Sequence, residues 1–218
     1  MNGVGPGRTD GNNDGTDRGR SGRRLLAALD AEISLPSLMR LFPLAFLLHD
    51  LEEVLTVEAF WQRHRDRLPL PAALRRGRVT TRQFAVAVAG LFGVVLLISE
   101  RAARAPGDPS RLAWFRVGLA IMLANVFTHL GQSLLLRADT PGVATALAIS
   151  LPYSAYAFRR LARAGLSDRS AALTASRHGL LRLLPAVGAA LGLGWLVDRL
   201  LRGRGTPAPA APLNRKVK

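Results

Sequence analysis

The chain has 218 residues, of which 30 are Lys or Arg and 15 are Asp or Glu, giving a formal net charge of +15. Hydrophobic residues make up 49% and cysteine is absent, which excludes a disulfide scaffold, a thiolate zinc site and a thiol nucleophile. Such a charge is typical of contact with nucleic acid or with an anionic membrane surface, and the placement of the charges decides between them.

Both ends of the chain are predicted to be disordered tails. Residues 1–24 contain only two apolar side chains, Met1 and Val4, and cannot bury enough surface to offset the entropy of ordering. No apolar run follows the N-terminus closely enough for a signal peptide. Residues 203–218 are rich in Pro and Ala and then basic, which predicts a second disordered tail. The part between them, residues 25–202, is predicted to form one helical domain.

Five apolar blocks, separated by Arg-rich connections, occupy this domain at residues 38–61, 84–99, 112–136, 143–158 and 180–201. Helices of soluble bundles keep a polar face, whereas residues 85–98 and 183–197 carry no charge and are apolar all round. About 20 such residues span a bilayer. We therefore predict an all-α fold, a transmembrane bundle of about five helices.

The Arg residues at the ends of these blocks are placed to meet anionic lipid headgroups. The bilayer and its headgroups are thus the predicted partners, with no nucleic acid, and the predicted location is a bacterial plasma membrane in a multi-pass arrangement. Lys and Arg divide almost evenly between alternate connections, so the positive-inside rule does not fix the orientation.

The first block contains a costly polar cluster. His49, Asp50, Glu52 and Glu53 directly follow eight mostly apolar residues, and a charge at mid-bilayer costs about 2.5–3.5 kcal/mol on an insertion scale. On a helix, Glu52 and Glu53 flank His49 at about 60° and 40°. One imidazole and two carboxylates on one face are a half-site for Zn²⁺, Fe²⁺ or Mn²⁺. A buried polar network that only fixes helix register is the simpler alternative.

A second polar stripe in the third block supplies the missing half of such a site. Asn125, Thr128, His129 and Gln132 share one helical face. Polar stripes of lipid-embedded helices tend to face each other. We predict a metal site formed by His49, Glu52, Glu53 and His129, with Asn125 and Gln132 as hydrogen-bond partners of the ligands or as ligands themselves.

The residues His49-Asp50-Leu51-Glu52-Glu53 resemble the naming motif of the HXXEE family of membrane proteins. Asn125 and His129 are similar to the family's second Asn/His element. Pro141-Gly142 falls where the family tends to have Tyr-x-Pro-Gly, but Asp139 stands at the tyrosine position. The resemblance covers about residues 38–200 and implies a multi-span helical membrane protein suspected of enzymatic activity, without naming a substrate.

Three functional hypotheses follow. The first is a membrane-embedded, metal-dependent hydrolase in which the metal lowers the pKa of bound water and Glu52 or Glu53 acts as catalytic general base on a lipid-like or small membrane-accessible substrate. The second is a transport or sensing protein in which the same cluster relays an ion or protons. The third is a structural membrane protein.

Overall fold

The computed structural model describes residues 14–68 and 71–203, which form helices and connections with no strand among them. The helices are α1 (Asp14–Glu32), α2 (Leu35–His64), α3 (Ala72–Arg75), α4 (Thr81–Arg104), α5 (Pro109–Leu136), α6 (Val143–Thr145), α7 (Leu151–Arg163) and α8 (Arg169–Gly203). A 3-10 turn, Arg65–Arg67, follows α2, and a π-helical segment, Ala146–Ser150, joins α6 to α7. The predicted all-α fold is confirmed.

The long helices begin at capping residues that the sequence provides. The Ser34 hydroxyl accepts a hydrogen bond from the Ser37 amide at the start of α2. Thr80 and Gln83 form a reciprocal capping box at the start of α4. The Asp108 carboxylate accepts from the amides of Ser110 and Arg111 at the start of α5. These side chains satisfy backbone donors that a helix leaves unpaired.

Three helices of the described residues, α4, α5 and α8, are long and apolar enough to cross a membrane, and a fourth span results if α1 and α2, bent by 103°, count as one. The fourth apolar block, residues 143–158, is not among them. It is divided between α6, the π-helical segment and α7, and its second half contains Pro152, Tyr153 and Tyr156. The structure therefore has three to four candidate spans among the described residues, where the sequence predicted about five.

Side-chain contacts define two ends of the bundle. At the α1 end, Arg40 of α2 binds Glu100 of α4 at 3.0 Å, and Asp30 of α1 accepts from Arg159 of α7 at 2.7 Å. At the α3 end, Glu58 of α2 accepts from the Thr81 amide at 2.8 Å. Helices α2 and α4 are therefore antiparallel, and the middle of α2 lies between these two ends.

Part of the predicted N-terminal tail lies in α1. Residues 14–24 belong to this helix, whose other end is fixed by Asp30, which binds Arg159 and also Arg163 at 2.5 Å. These partners are about 130 residues away in sequence, which composition alone does not reveal. Residues 1–13 of the first predicted tail and 204–218 of the second lie outside the described residues.

The core is small and the outer surface is apolar. Phe42 of α2 stacks on Tyr153 of α7 and meets the edge of Phe115 of α5. Only 18% to 33% of the residues in the most apolar windows of α4, α5 and α8 are buried. Large apolar side chains such as Leu134 (78% exposed) and Leu181 (66% exposed) point outwards. This is the opposite of the pattern in a soluble monomer, which seldom exposes continuous apolar surface.

Candidate metal centre

Two helices bring three side chains of metal-ligand type to one point. His49 and Glu53 are one turn apart on α2, and His129 lies on α5. Glu53 Oε1 is 2.8 Å from His129 Nε2 and 3.3 Å from His49 Nε2. The two imidazole rings meet edge to face with centroids 5.0 Å apart. Both histidines are buried, and one ligand atom from each residue lies within 4.8 Å of the other two.

A fourth polar residue, Asn125, contacts both histidines of this group. Its Nδ2 lies 3.2 Å from His49 Nε2 and 2.9 Å from His129 Nε2. The Thr128 hydroxyl donates to the Asn125 backbone carbonyl at 2.7 Å and approaches Oδ1 at 3.0 Å. The sequence-based pairing of Asn125 with His129 is thus seen in space, and Asn125 contacts both histidines. We call His49, Glu53, Asn125 and His129 the central cluster.

Glu52 lies beside the central cluster and does not point into it. Its Oε2 accepts from the Thr145 amide at 2.8 Å and from the Thr145 hydroxyl at 2.5 Å. The same hydroxyl is 3.1 Å from His49 Nδ1. Glu52 was expected as a metal ligand together with Glu53. In this arrangement the helix directs the two neighbouring carboxylates to different partners because they are 100° apart around its axis.

Thr145 is a site residue that the sequence analysis missed. It stands three positions after Gly142, within an apolar block, and a single Thr in such a block has no distinctive spacing. The Pro141-Gly142 pair was the available signal, because it marks the turn that returns the chain toward His49.

Gly142 packs directly against the central cluster. Its φ is +82°, which L side chains rarely adopt. A Cβ built on Gly142 would lie 2.8 Å from Glu53 Cγ and 2.9 Å from His49 Cε1. The turn around residue 142 therefore closes the cluster at backbone contact distance, and only glycine fits there without displacement.

The remaining sequence candidates lie elsewhere. Gln132, predicted as a partner of the ligands, is exposed on α5, and Asp50 is buried on α2 directly after His49. His178 is exposed on α8, and His64 is bonded to the Phe60 carbonyl at 3.1 Å. The Nδ1 atom of His129 is buried, and no described residue hydrogen-bonds to it.

A groove leads from the surface at the α3 end toward Glu52. Its volume is about 290 Å³. It follows one face of α2 and is closed on the other side by the connection after α5; the lining residues are Glu52, Leu55, Thr56, Ala59, Phe60, Arg63, His64, Asp139, Thr140 and Pro141. Leu55 is 69% exposed, so the groove is also open sideways, where the molecular surface is apolar. A molecule could reach Glu52 from the apolar surroundings or from the polar end.

These features define an all-helical protein with three to four segments suited to crossing a membrane and a buried His-Glu-His group that could hold a metal ion. The chain belongs to the family described as proteins of unknown function with the HXXEE motif, whose model matches residues 40–157. The resemblance stated from the motif is thereby confirmed. No curated protein and no solved structure matches the chain.

Proposed function

We propose that the protein is embedded in a membrane and that His49, Glu53 and His129 bind a divalent transition metal there. The apolar exterior supports the first part, because Leu, Val, Trp and Phe side chains on α2, α4, α5 and α8 face outwards. In water such a surface would drive aggregation, whereas acyl chains solvate it.

Two Arg–Trp pairs mark boundaries that suit a bilayer. The Arg182 guanidinium lies 5.3 Å above the ring of Trp114, and Arg199 lies 5.3 Å above the ring of Trp195. Along α8 the two arginines are 17 positions apart, which corresponds to about 25 Å. The hydrocarbon core is about 30 Å thick, and Trp and Arg favour its interfaces. The central cluster is then placed between the two interfaces.

The convergence of two Nε2 atoms and one carboxylate oxygen carries the metal proposal. Ligand atoms of a tetrahedral zinc-type site lie about 3.3 Å apart when the metal–ligand bonds are about 2.0–2.1 Å. The 3.3 Å and 2.8 Å separations around Glu53 Oε1 need only small adjustments to reach that geometry. Imidazole with carboxylate suits Zn²⁺, Fe²⁺ or Mn²⁺. A cation would also offset the cost of a carboxylate in a lipid environment.

Asn125 is in place to complete the ligand set. Its amide nitrogen and oxygen are assigned from hydrogen bonding and are nearly isosteric. Rotation of the amide would bring Oδ1 to the position between the two imidazoles where Nδ2 lies. Asn125 then supplies either a fourth ligand or a hydrogen bond to a metal-bound water.

Hydrolysis is the reaction that this arrangement supports best. A bound metal supplies a water of lowered pKa. Glu52, which lines the groove and is held by Thr145, would act as general base. The groove opens to the apolar surface at Leu55 and to polar residues at Arg63, so the proposed substrate is lipid-like or otherwise membrane-accessible.

A chain of hydrogen bonds favours proton or ion relay as a second candidate. It runs from Glu52 through Thr145 to His49, and through Asn125 to His129. Such a relay would use the same side chains without a tightly held metal. A structural role for the cluster is the remaining alternative.

Metal analysis of the full-length protein, purified in detergent without chelators, separates these candidates. We expect close to one transition metal ion per chain, lost in both His49→Ala and His129→Ala and retained in the control His178→Ala, whose side chain is exposed. Full occupancy in both cluster variants would overturn the site. No bound metal in the wild type, with proton flux in proteoliposomes that Glu53→Gln abolishes, would support the relay instead.

A further inference from the structure

We infer that Thr145 is a positioning residue that selects the tautomer of His49 and fixes Glu52 at the end of the groove. The inference rests on the proposed metal site, which it extends from the ligands to the group behind them. Thr145 is the last residue of α6 and precedes the π-helical segment Ala146–Ser150. Such segments often occur at functional sites because they change the direction of nearby side chains.

The Thr145 hydroxyl has one proton and several acceptors within reach. Its oxygen is 2.5 Å from Glu52 Oε2, compared with 3.3 Å from the Gly142 carbonyl oxygen and 3.5 Å from that of His49. The shortest of these contacts is the length of a charge-assisted O–H···O⁻ bond. The proton therefore lies on the bond to Glu52, which the Thr145 amide also holds at 2.8 Å.

The position of that proton determines the tautomer of His49. With its only proton donated to Glu52, Thr145 Oγ1 can interact with His49 Nδ1, 3.1 Å away, only as an acceptor. Nδ1 must then be the protonated nitrogen. In the neutral ring, His49 Nε2 then carries the free electron pair and can accept from Asn125 Nδ2, 3.2 Å away, while it lies 3.3 Å from Glu53 Oε1.

This arrangement matches the requirement for a metal-binding histidine. The nitrogen that binds the metal must be unprotonated, and a carboxylate behind the opposite nitrogen orients the ring and raises its basicity. Here Glu52 acts on His49 through one hydroxyl. Glu52 and Glu53 then differ on one helix, since Glu53 faces the proposed metal position, and Glu52, the proposed general base, also orients His49 through Thr145.

Conservative substitutions of Thr145 test the inference. Thr145→Val keeps the shape and removes the hydroxyl, and Thr145→Ser restores it. We expect about 10- to 100-fold weaker Zn²⁺ binding in the valine variant, because loss of a hydrogen-bond partner of a metal ligand typically lowers metal affinity by that factor. The serine variant should remain within a few-fold of wild type. Thr174→Val, at an exposed position of α8, is the matched control and should bind like wild type. Competition with a chromophoric chelator measures the affinity.

A second measurement does not depend on metal. Nitrogen NMR of ¹⁵N-histidine-labelled apoprotein should show His49 as the Nδ1–H tautomer in wild type and Thr145→Ser, and as a mixture in Thr145→Val. The His49 signals are assigned by their loss in His49→Ala. If Thr145→Val does not fold, Glu52→Gln should shift the tautomer and the affinity in the same direction.

The failures of the two proposals are distinguishable. Equal Zn²⁺ affinity and an unchanged tautomer in Thr145→Val would overturn the role of Thr145 and leave the metal site intact. A wild type that binds no metal but shows the Nδ1–H tautomer, lost on substitution by valine, would overturn the metal site and leave the role of Thr145 standing.

Discussion

At the scale of single residues, the central cluster depends on directions that neighbouring side chains take around α2. Glu52 and Glu53 are adjacent in sequence, yet one is bonded to Thr145 and the other lies between two histidines. A helix turns by 100° per residue, so adjacent carboxylates serve different partners. The motif therefore supplies two carboxylates with different partners at adjacent positions.

Gly142 provides a test of the contact between the turn and the cluster. We expect Gly142→Ala to lower metal occupancy strongly, because its Cβ would meet Glu53 and His49 at 2.8–2.9 Å. Gly165→Ala is the matched control, since Gly165 also has positive φ (+68°) but a Cβ there meets nothing within 4 Å.

Both variants carry the backbone strain of a non-glycine residue in the left-handed region, about 1–2 kcal/mol. Only Gly142→Ala should affect the site. Metal content and thermal unfolding in detergent measure the two effects separately. Equal metal content in the two variants would show that the turn does not contact the cluster as described.

At the scale of helices, the capping residues and the apolar blocks act together. Thr80 and Gln83 start α4 just after the polar connection, and an uninterrupted apolar run follows. The fourth block behaves differently because the chain must return from the end of α5 to His49 before continuing as α7. The turn at Gly142 and the π-helical segment accomplish this return.

The capping box of α4 yields a stability prediction. Thr80→Ala removes the side-chain acceptor of the Gln83 amide, and we expect a loss of about 1 kcal/mol in the free energy of unfolding. Thr80→Ser should recover most of it, because serine caps at least as well as threonine. Chemical unfolding of the full chain in mixed micelles measures the difference. A serine variant as unstable as the alanine variant would contradict the assignment of the cap.

The start of α5 yields a pH prediction. A hydrogen bond from the Ser110 hydroxyl, with others from backbone amides, lowers the pKa of Asp108. A lowered folded-state pKa stabilises the fold above the unfolded value of about 3.9, and the stabilisation disappears as pH falls through the folded value. The difference in Tm between wild type and Asp108→Ala should therefore shrink from pH 6 toward pH 3. A constant difference across that range would show that the charge of Asp108 is not involved.

At the scale of the whole molecule, the distribution of charge and apolar surface is that expected for contact with lipid. Exposed apolar side chains cover α4, α5 and α8 between ends where arginines concentrate. The net charge of +15 is therefore compatible with a large apolar surface, because the two occupy different zones.

The absence of cysteine makes this arrangement directly measurable. Single cysteines introduced at two exposed positions, Val94 midway along α4 and Leu193 between the two Arg–Trp pairs on α8, should resist water-soluble maleimide in intact membranes and react after detergent solubilisation. Cysteines at Arg104 and Arg78, at opposite ends of the bundle, should react with a membrane-impermeant reagent from opposite sides. Rapid labelling of Val94→Cys by the impermeant reagent would show that the apolar surface is not in a bilayer.

Much of this molecule could be predicted from local sequence. Apolar runs that are preceded by capping residues form the long helices. On a helix, the i, i+4 spacing places His49 near Glu53 and Asn125 near His129. The contact between the polar stripe of α2 and that of α5 could also be predicted, because polar groups on apolar helices have few other partners. These are properties of single helices and of their surroundings.

Only the tertiary structure decided how those helices meet. The return of the chain at Gly142, the contact of Thr145 with Glu52 and His49, and the binding of Asp30 to α7 each join residues about 90 to 130 positions apart. Such contacts depend on backbone directions that no local pattern encodes. The sequence by itself therefore determined the apolar helices and the polar residues of the cluster, and the packing determined which carboxylate lies between the two histidines and which binds Thr145.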